Sequence, residues 1–156
     1  MSEPERTRGH IPWSNVDRRL RSLREIWVTT AGGDGRPDAV PVWFWWDGRC
    51  VYFATKMTSR KTHNIAARTA VVAHNGDGAE PIIIKGDADL VVDPGALARV
   101  DRAYREKYVD PHSGAHATVF NEGDCVFRIE PRIVMVWSYA TCSSRTDFRF
   151  DAVAVG

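Results

Sequence analysis

Between Glu25 and Ala54 three apolar stretches are separated by only two tight turns, and this spacing constrains the fold more than any other feature of the chain. Glu25 to Thr30 reads as a strand. Gly32-Gly33-Asp34-Gly35 reads as a hairpin turn, because several of its positions tolerate positive φ, and Asp38 to Trp46 returns as a second strand. Asp47-Gly48 then leads into a third strand at Val51 to Ala54. Strands joined this closely run antiparallel, so the three are expected to form a meander. The middle strand, AVPVWFWW, is apolar on both faces, and both faces are expected to be covered. Pro41 inside it cannot donate a ladder bond, which predicts a bulge or a gap facing a ligand.

The remaining elements continue the pattern. Val16 to Leu23 has apolar residues at 16, 20 and 23 and reads as a short amphipathic helix capped by Asn15. A helix over 59–67 follows the third strand, then a strand at Thr69 to His74. Pro81 to Val92 reads as a long strand with Gly86 as a bulge or bend. Asp93-Pro94-Gly95 opens a helix over Ala96 to Tyr108, with Leu97, Val100, Ala103 and Tyr104 as its inner stripe. Residues 110–120 read as irregular. Two last strands, Cys125 to Glu130 and Arg132 to Tyr139, are separated by Pro131, and 140–150 reads as a polar tail. Seven short strands with hairpin spacing predict a mainly β antiparallel barrel with peripheral helices. At 156 residues the chain is one domain over 15–150, preceded by a flexible arm at 1–14 and followed by a tail at 151–156.

Composition excludes several classes. A net charge of +1 argues against nucleic acid or a membrane surface as the main partner. No apolar run reaches the length of a membrane span, and the polar start MSEPERTRGH is unlike a signal peptide. Cys50, Cys125 and Cys142 are odd in number and far apart, which fits a reducing cytoplasm and predicts no metal site. His112 and His116 are four apart, but Gly114 between them and Asp110-Pro111 before them predict a loop. His63 and His74 stand alone and read as structural.

The chemistry concentrates where the third strand gives way to a helix, in TKMTSRK at 55–61. Thr58 or Ser59 can cap the helix. Thr55, Thr58 and Ser59 supply hydroxyls; Lys56, Arg60 and Lys61 supply cations. A helix start offers free amides and a positive dipole end, so cations there oppose the dipole unless an anion joins them. A solvated turn is the simpler alternative; a phosphate seat accounts for the cost.

With those residues in view, the chain resembles the pyridoxamine 5′-phosphate oxidase-like superfamily of FMN-binding split β-barrels. The sharpest likeness is YFATKMTSRK, where the family holds the phosphate of FMN at the start of the helix after the third strand. PRIVMVW at 131–137 and RTDFR at 145–149 resemble a second element, a strand ending in Trp followed by an Arg pair. The resemblance implies a split barrel acting as a homodimer, with the cofactor site at the subunit interface. It makes Thr55, Ser59, Arg60 and Lys61 phosphate ligands, with Lys56 beside them. It lays the cofactor ring against Pro41, Val42, Trp43 and Phe44 and against Ala54 and Thr55. Trp137 would reach the ring across the interface, and Arg145 or Arg149 would face cofactor or substrate.

Thr146, Asp147 and Phe148 stand where the true oxidases have a His, and Pro81 where a flavin-contacting Gln is expected. These departures argue against pyridoxamine phosphate as substrate. The PVWFWWDG strand and the RTDFRF ending resemble the subgroup using FMN or the deazaflavin coenzyme, factor 420, whose acidic tail would suit Lys56. The expected activity is therefore hydride transfer between such a cofactor and a small organic substrate, with no catalytic side chain required by the sequence. The alternatives are a non-catalytic flavin- or haem-binding split barrel, with His63, His74 or His112 as axial ligand, and a structural dimerisation domain with a degenerate site. Trp45 and Trp46 read as packing rather than cofactor contacts.

Overall fold

The computed structural model describes residues 2–152, so the end of the 151–156 tail lies outside the described residues. Among the described residues nine strands and three helices follow one another as β1 (Glu5–Arg8), α1 (Trp13–Ser22), β2 (Glu25–Ala31), β3 (Pro37–Trp43), β4 (Trp45–Trp46), β5 (Val51–Lys56), α2 (Arg60–Ala67), β6 (Ala70–His74), β7 (Ile82–Leu90), α3 (Pro94–Lys107), β8 (Asp124–Ser138) and β9 (Ser143–Arg149). All strand pairs are antiparallel. The ladder runs β3–β2–β6–β7–β8, and the first half of β8 turns to pair with β5. β5 comes back beside β3 with no ladder bonds between them. The result is a barrel with one open seam.

The expected meander is therefore corrected. AVPVWFWW is not one strand: it breaks at Phe44 into β3, paired with β2, and β4, paired with β5 through the Asp47-Gly48 turn. The break is made by α3. Phe44 is fully buried, its amide donates to Tyr108 Oη at 2.9 Å, and its carbonyl accepts from Lys107 Nζ at 2.9 Å. Tyr108 Oη in turn donates to the Arg24 carbonyl at 2.6 Å. These side chains satisfy backbone groups that a continuous ladder would have satisfied. The β2–β3 register runs unbroken through Pro41, so there is no bulge there; Pro41 is tolerated because β3 is an edge.

Gly86 does sit at a bulge, between Lys85 and Gly86 opposite Pro131. The expected separation of two strands at Pro131 is corrected: Pro131 lies within the continuous β8, beside Arg132, the extra residue that β8 carries at the bulge. The polar stretch 140–150 carries β9, whose inward residues Thr146 and Phe148 are buried while its outward ones are charged. Part of the N-terminal arm forms β1 along β9, and Thr146 Oγ1 accepts from the His10 and Ile11 amides, each at 3.1 Å. α1 begins at Trp13, earlier than the expected Asn15 cap, because the Trp13 ring packs edge-on against Phe148 and Phe150 at 5.1 and 5.4 Å.

Two cores result. One fills the barrel with Ile26, Val28, Phe53, Ile84, Ile129 and Val134, closed at one end by Val16 and Leu20 of α1. The second lies between α3 and the outer face of β5 and β8, and contains Tyr52, Val100, Tyr104, Tyr108 and Val126. No helix among the described residues is long and apolar enough to cross a membrane.

Candidate functional site

α2 starts as its sequence requires. Ser59 is the N-cap: its Oγ accepts from the Thr62 amide at 3.3 Å and from Thr55 Oγ1 at 3.2 Å. Thr62 Oγ1 donates to the Lys56 carbonyl at 2.9 Å, which closes the turn between strand and helix. The hydroxyls thus shape the turn from within. The first turn of α2 holds no acidic residue, and Arg60 and Lys61 form no ion pair among the described residues. The opening amides of a helix have no intrahelical acceptors, so this end presents amides and two cations in want of an anion. Those features fit a phosphate. Lys56 is engaged otherwise, bonding Asp124 at 2.7 Å and the Glu122 carbonyl at 2.9 Å.

This turn opens on a cavity of about 510 Å³ at the barrel's open seam. Pro41, Val42 and Trp43 of β3 line one side; Ala54 and Thr55 of β5 and Lys61 of α2 line the next. Six of the sequence-predicted residues therefore meet in one place. The opposite wall comes from Tyr104 of α3 and from His116, Thr118 and Asn121. Tyr104 bridges the seam: its Oη donates to the Trp43 carbonyl at 2.6 Å and accepts from the Ala54 amide at 3.2 Å. Burial pushes the Tyr104 and Tyr108 phenols well up, so both stay protonated donors. Burial, helped by Arg24, pushes Lys107 down to about 8. The Trp43 indole, half exposed, stacks on Tyr108 at 4.5 Å and 3° and offers its other face to the cavity side.

Phe44 is not brought to this cavity; it is core, with its ring beneath Lys107 Nζ at 4.0 Å. Trp137 and Arg145 are not brought to it either. Thr55 pairs with Cys125 near the start of β8, whereas Trp137 stands twelve residues further on, near its end. Trp137 does not line the cavity of its own chain. Arg145 is exposed and held by Asp147 through two bonds of 2.6 and 3.0 Å.

Tyr104, Tyr108 and His116 were not singled out as site residues by the sequence. The available signal was the i, i+4 spacing of Tyr104 on α3 and Tyr108 at its C-cap, which places both on the inner face. His116 Nδ1 donates to the Arg105 carbonyl at 2.6 Å. His63, His74 and His112 do not line the cavity. Among the described residues no cluster of three or more His, Cys, Asp or Glu could hold a metal. A larger cavity, about 680 Å³, lies between α1 and the β8–β9 turn. That larger cavity is lined by the start of α1 with Arg18 and Arg19, Arg19 being bonded to the Glu80 carbonyl, and by none of the sequence-predicted site residues, six of which gather instead at the smaller one.

The family model for pyridoxamine 5′-phosphate oxidase matches residues 14–138, and the chain belongs to that family. No curated protein matches it. Among solved structures, a conserved hypothetical protein from Mycobacterium tuberculosis is 22% identical, with a TM-score of 0.71 over 97% of this chain and 96% of its own. A pyridoxamine 5′-phosphate oxidase-related, FMN-binding protein from Nostoc punctiforme is 16% identical, with a TM-score of 0.58 over 92% and 98%. A factor 420 reductase is 21% identical, with a TM-score of 0.54 over 74% and 91%. At these identities the likeness is one of fold.

Proposed function

We propose that this chain is an oxidoreductase that holds FMN or the deazaflavin coenzyme and transfers hydride between its ring and a small organic substrate. The observation that carries this reading is the meeting of Lys61 at the α2 start, next to Arg60, with the β3 edge on one cavity at the barrel seam. The family and the fold shared with an FMN-binding protein and a factor 420 reductase support it.

In this reading the α2 amides, Arg60 and Lys61 bind the phosphate, and Thr55 and Ser59 fix the turn that aims them. Pro41, Val42, Trp43 and Ala54 flank the ring, and Tyr104 keeps the seam at its width. When bound, the cofactor supplies the hydride chemistry; the protein supplies position and electrostatics. Lys61 on the cavity wall would stabilise negative charge that develops during reduction.

The active form in this account is a homodimer. β2, β3, β6, β7 and β8 turn Trp43, Trp27, Ile83, Ile133 and Met135 to the face opposite the barrel core, and Trp27 and Trp43 are 36% and 50% exposed in one chain. A second copy on that face would bury it and could bring its own Trp137 and Arg145 to the cavity. The three thiols are all free, in keeping with a cytoplasmic location.

Titration of the purified chain with FMN and, in parallel, with the deazaflavin coenzyme tests the reading through quenching of Trp fluorescence. Saturation at one cofactor per chain is expected for at least one of the two, and the tighter ligand identifies the cofactor. Absence of quenching by both would remove the cofactor site.

A further inference from the structure

The exposed apolar surface near the cavity is gathered rather than scattered. Met57, Leu90 and Phe120 are 49, 44 and 60% exposed, and with Leu97, Val119 and Val126 they line a groove of about 320 Å³. This groove shares Asn121 and Asp124 with the cofactor cavity, so the two spaces adjoin. The polar atoms of that shared wall are satisfied from within: Asn121 Nδ2 donates to Asp124 Oδ2 at 3.0 Å, and Lys56 Nζ bonds Asp124 Oδ1 at 2.7 Å. Asp124 is the one charged residue along the groove. The segment that carries Phe120 is fixed in place, because Asp101 accepts from Thr118 Oγ1 at 2.6 Å and from the Val119 amide at 3.0 Å. A preformed concave space lined this way selects hydrocarbon. It is unsuited to an acidic coenzyme tail, which would meet Asp124 and no free cation.

Resting on the reading of the adjoining cavity as the cofactor site, we propose that this groove seats the apolar portion of the substrate. The substrate class is then amphipathic: a reducible head reaching the cavity beside Lys61 and His116, and a hydrocarbon tail along Met57, Leu90 and Phe120. A free polar metabolite of the size of pyridoxamine phosphate would leave this surface bare. Exposed apolar surface rimmed by polar groups is retained where something covers it.

The test uses cis-parinaric acid, a fluorescent fatty acid, titrated into the purified chain with Leu90→Gln, Phe120→Gln and the double variant alongside. One saturable site per chain is expected, weakened about tenfold by each single change and lost in the double variant, with thermal midpoints close to wild type because both side chains are exposed. The Arg60→Ala/Lys61→Ala variant should still bind the probe while losing FMN. Failure of FMN to bind with probe binding intact would therefore sink the cofactor reading and not the groove. No saturable probe binding, or affinity unmoved by the double variant, would overturn the proposal. So would a double variant that sediments as a smaller species than wild type, since a second copy of the chain would then be what covers the groove.

Discussion

Replacing Arg60 and Lys61 together by Ala is expected to weaken FMN binding by at least about 100-fold while leaving the fold as stable as before. Each charge-assisted hydrogen bond to a phosphate is worth roughly 1.5–3 kcal/mol, and every ~1.4 kcal/mol is tenfold in affinity. Stability should hold because neither side chain has an ion-pair partner among the described residues. Both cations sit at the positive end of the α2 dipole, which costs rather than contributes, typically ~0.3–1 kcal/mol each when exposed. A small rise in melting temperature without ligand, together with the lost affinity, would be the signature of a seat built for an anion. Isothermal titration of both forms reads the affinity, and equal affinities would leave the two cations as solvated surface.

Gly86→Ala should be strongly destabilising although it adds a single methyl. A Cβ there would stand 2.2 Å from the Glu130 carbonyl oxygen and 2.9 Å from its carbon, both backbone atoms of the neighbouring strand. Neither can swing aside as a side-chain end could, so β7 and β8 must part at the bulge opposite Pro131. Overpacking typically costs ~1–3 kcal/mol, and a clash with immovable backbone belongs at the upper end, about 3 kcal/mol. For a domain of this size that corresponds to a fall of roughly 6–12 °C in melting temperature. The same strand pair carries Ile82 and Ile84 of the barrel core, so the loss should be global rather than a local fraying. A melting temperature within a degree or two of wild type would show that the bulge can relax.

What the sequence disclosed and what it hid divide by range. The Ser59 cap and the Gly86 bulge were legible because each follows from local chemistry, a hydroxyl before a helix and a glycine inside a strand. The gathering of Thr55 and Lys61 was legible for the same reason, since strand, turn and helix are consecutive. The break at Phe44 was not, because the groups that satisfy its amide and carbonyl are on Tyr108 and Lys107, more than sixty residues away. No periodicity within AVPVWFWW announces it. β9 was hidden by its outward charges: Arg145, Asp147 and Arg149 read as a polar tail unless the inward Thr146 and Phe148 are paired with a partner strand. The wall formed by Tyr104 and His116 was invisible for the converse reason, since α3 looks like an ordinary amphipathic helix until the seam it bridges is known.

The most direct test of the account is to compare FMN with riboflavin, which has the same ring and no phosphate, in one fluorescence titration of the wild-type chain. The α2 seat predicts that riboflavin binds at least about 100-fold more weakly than FMN, with the gap collapsing in the Arg60→Ala/Lys61→Ala variant. Equal affinity for the two ligands in the wild-type chain would contradict it, and would mean that the helix start at Arg60 does not hold a phosphate.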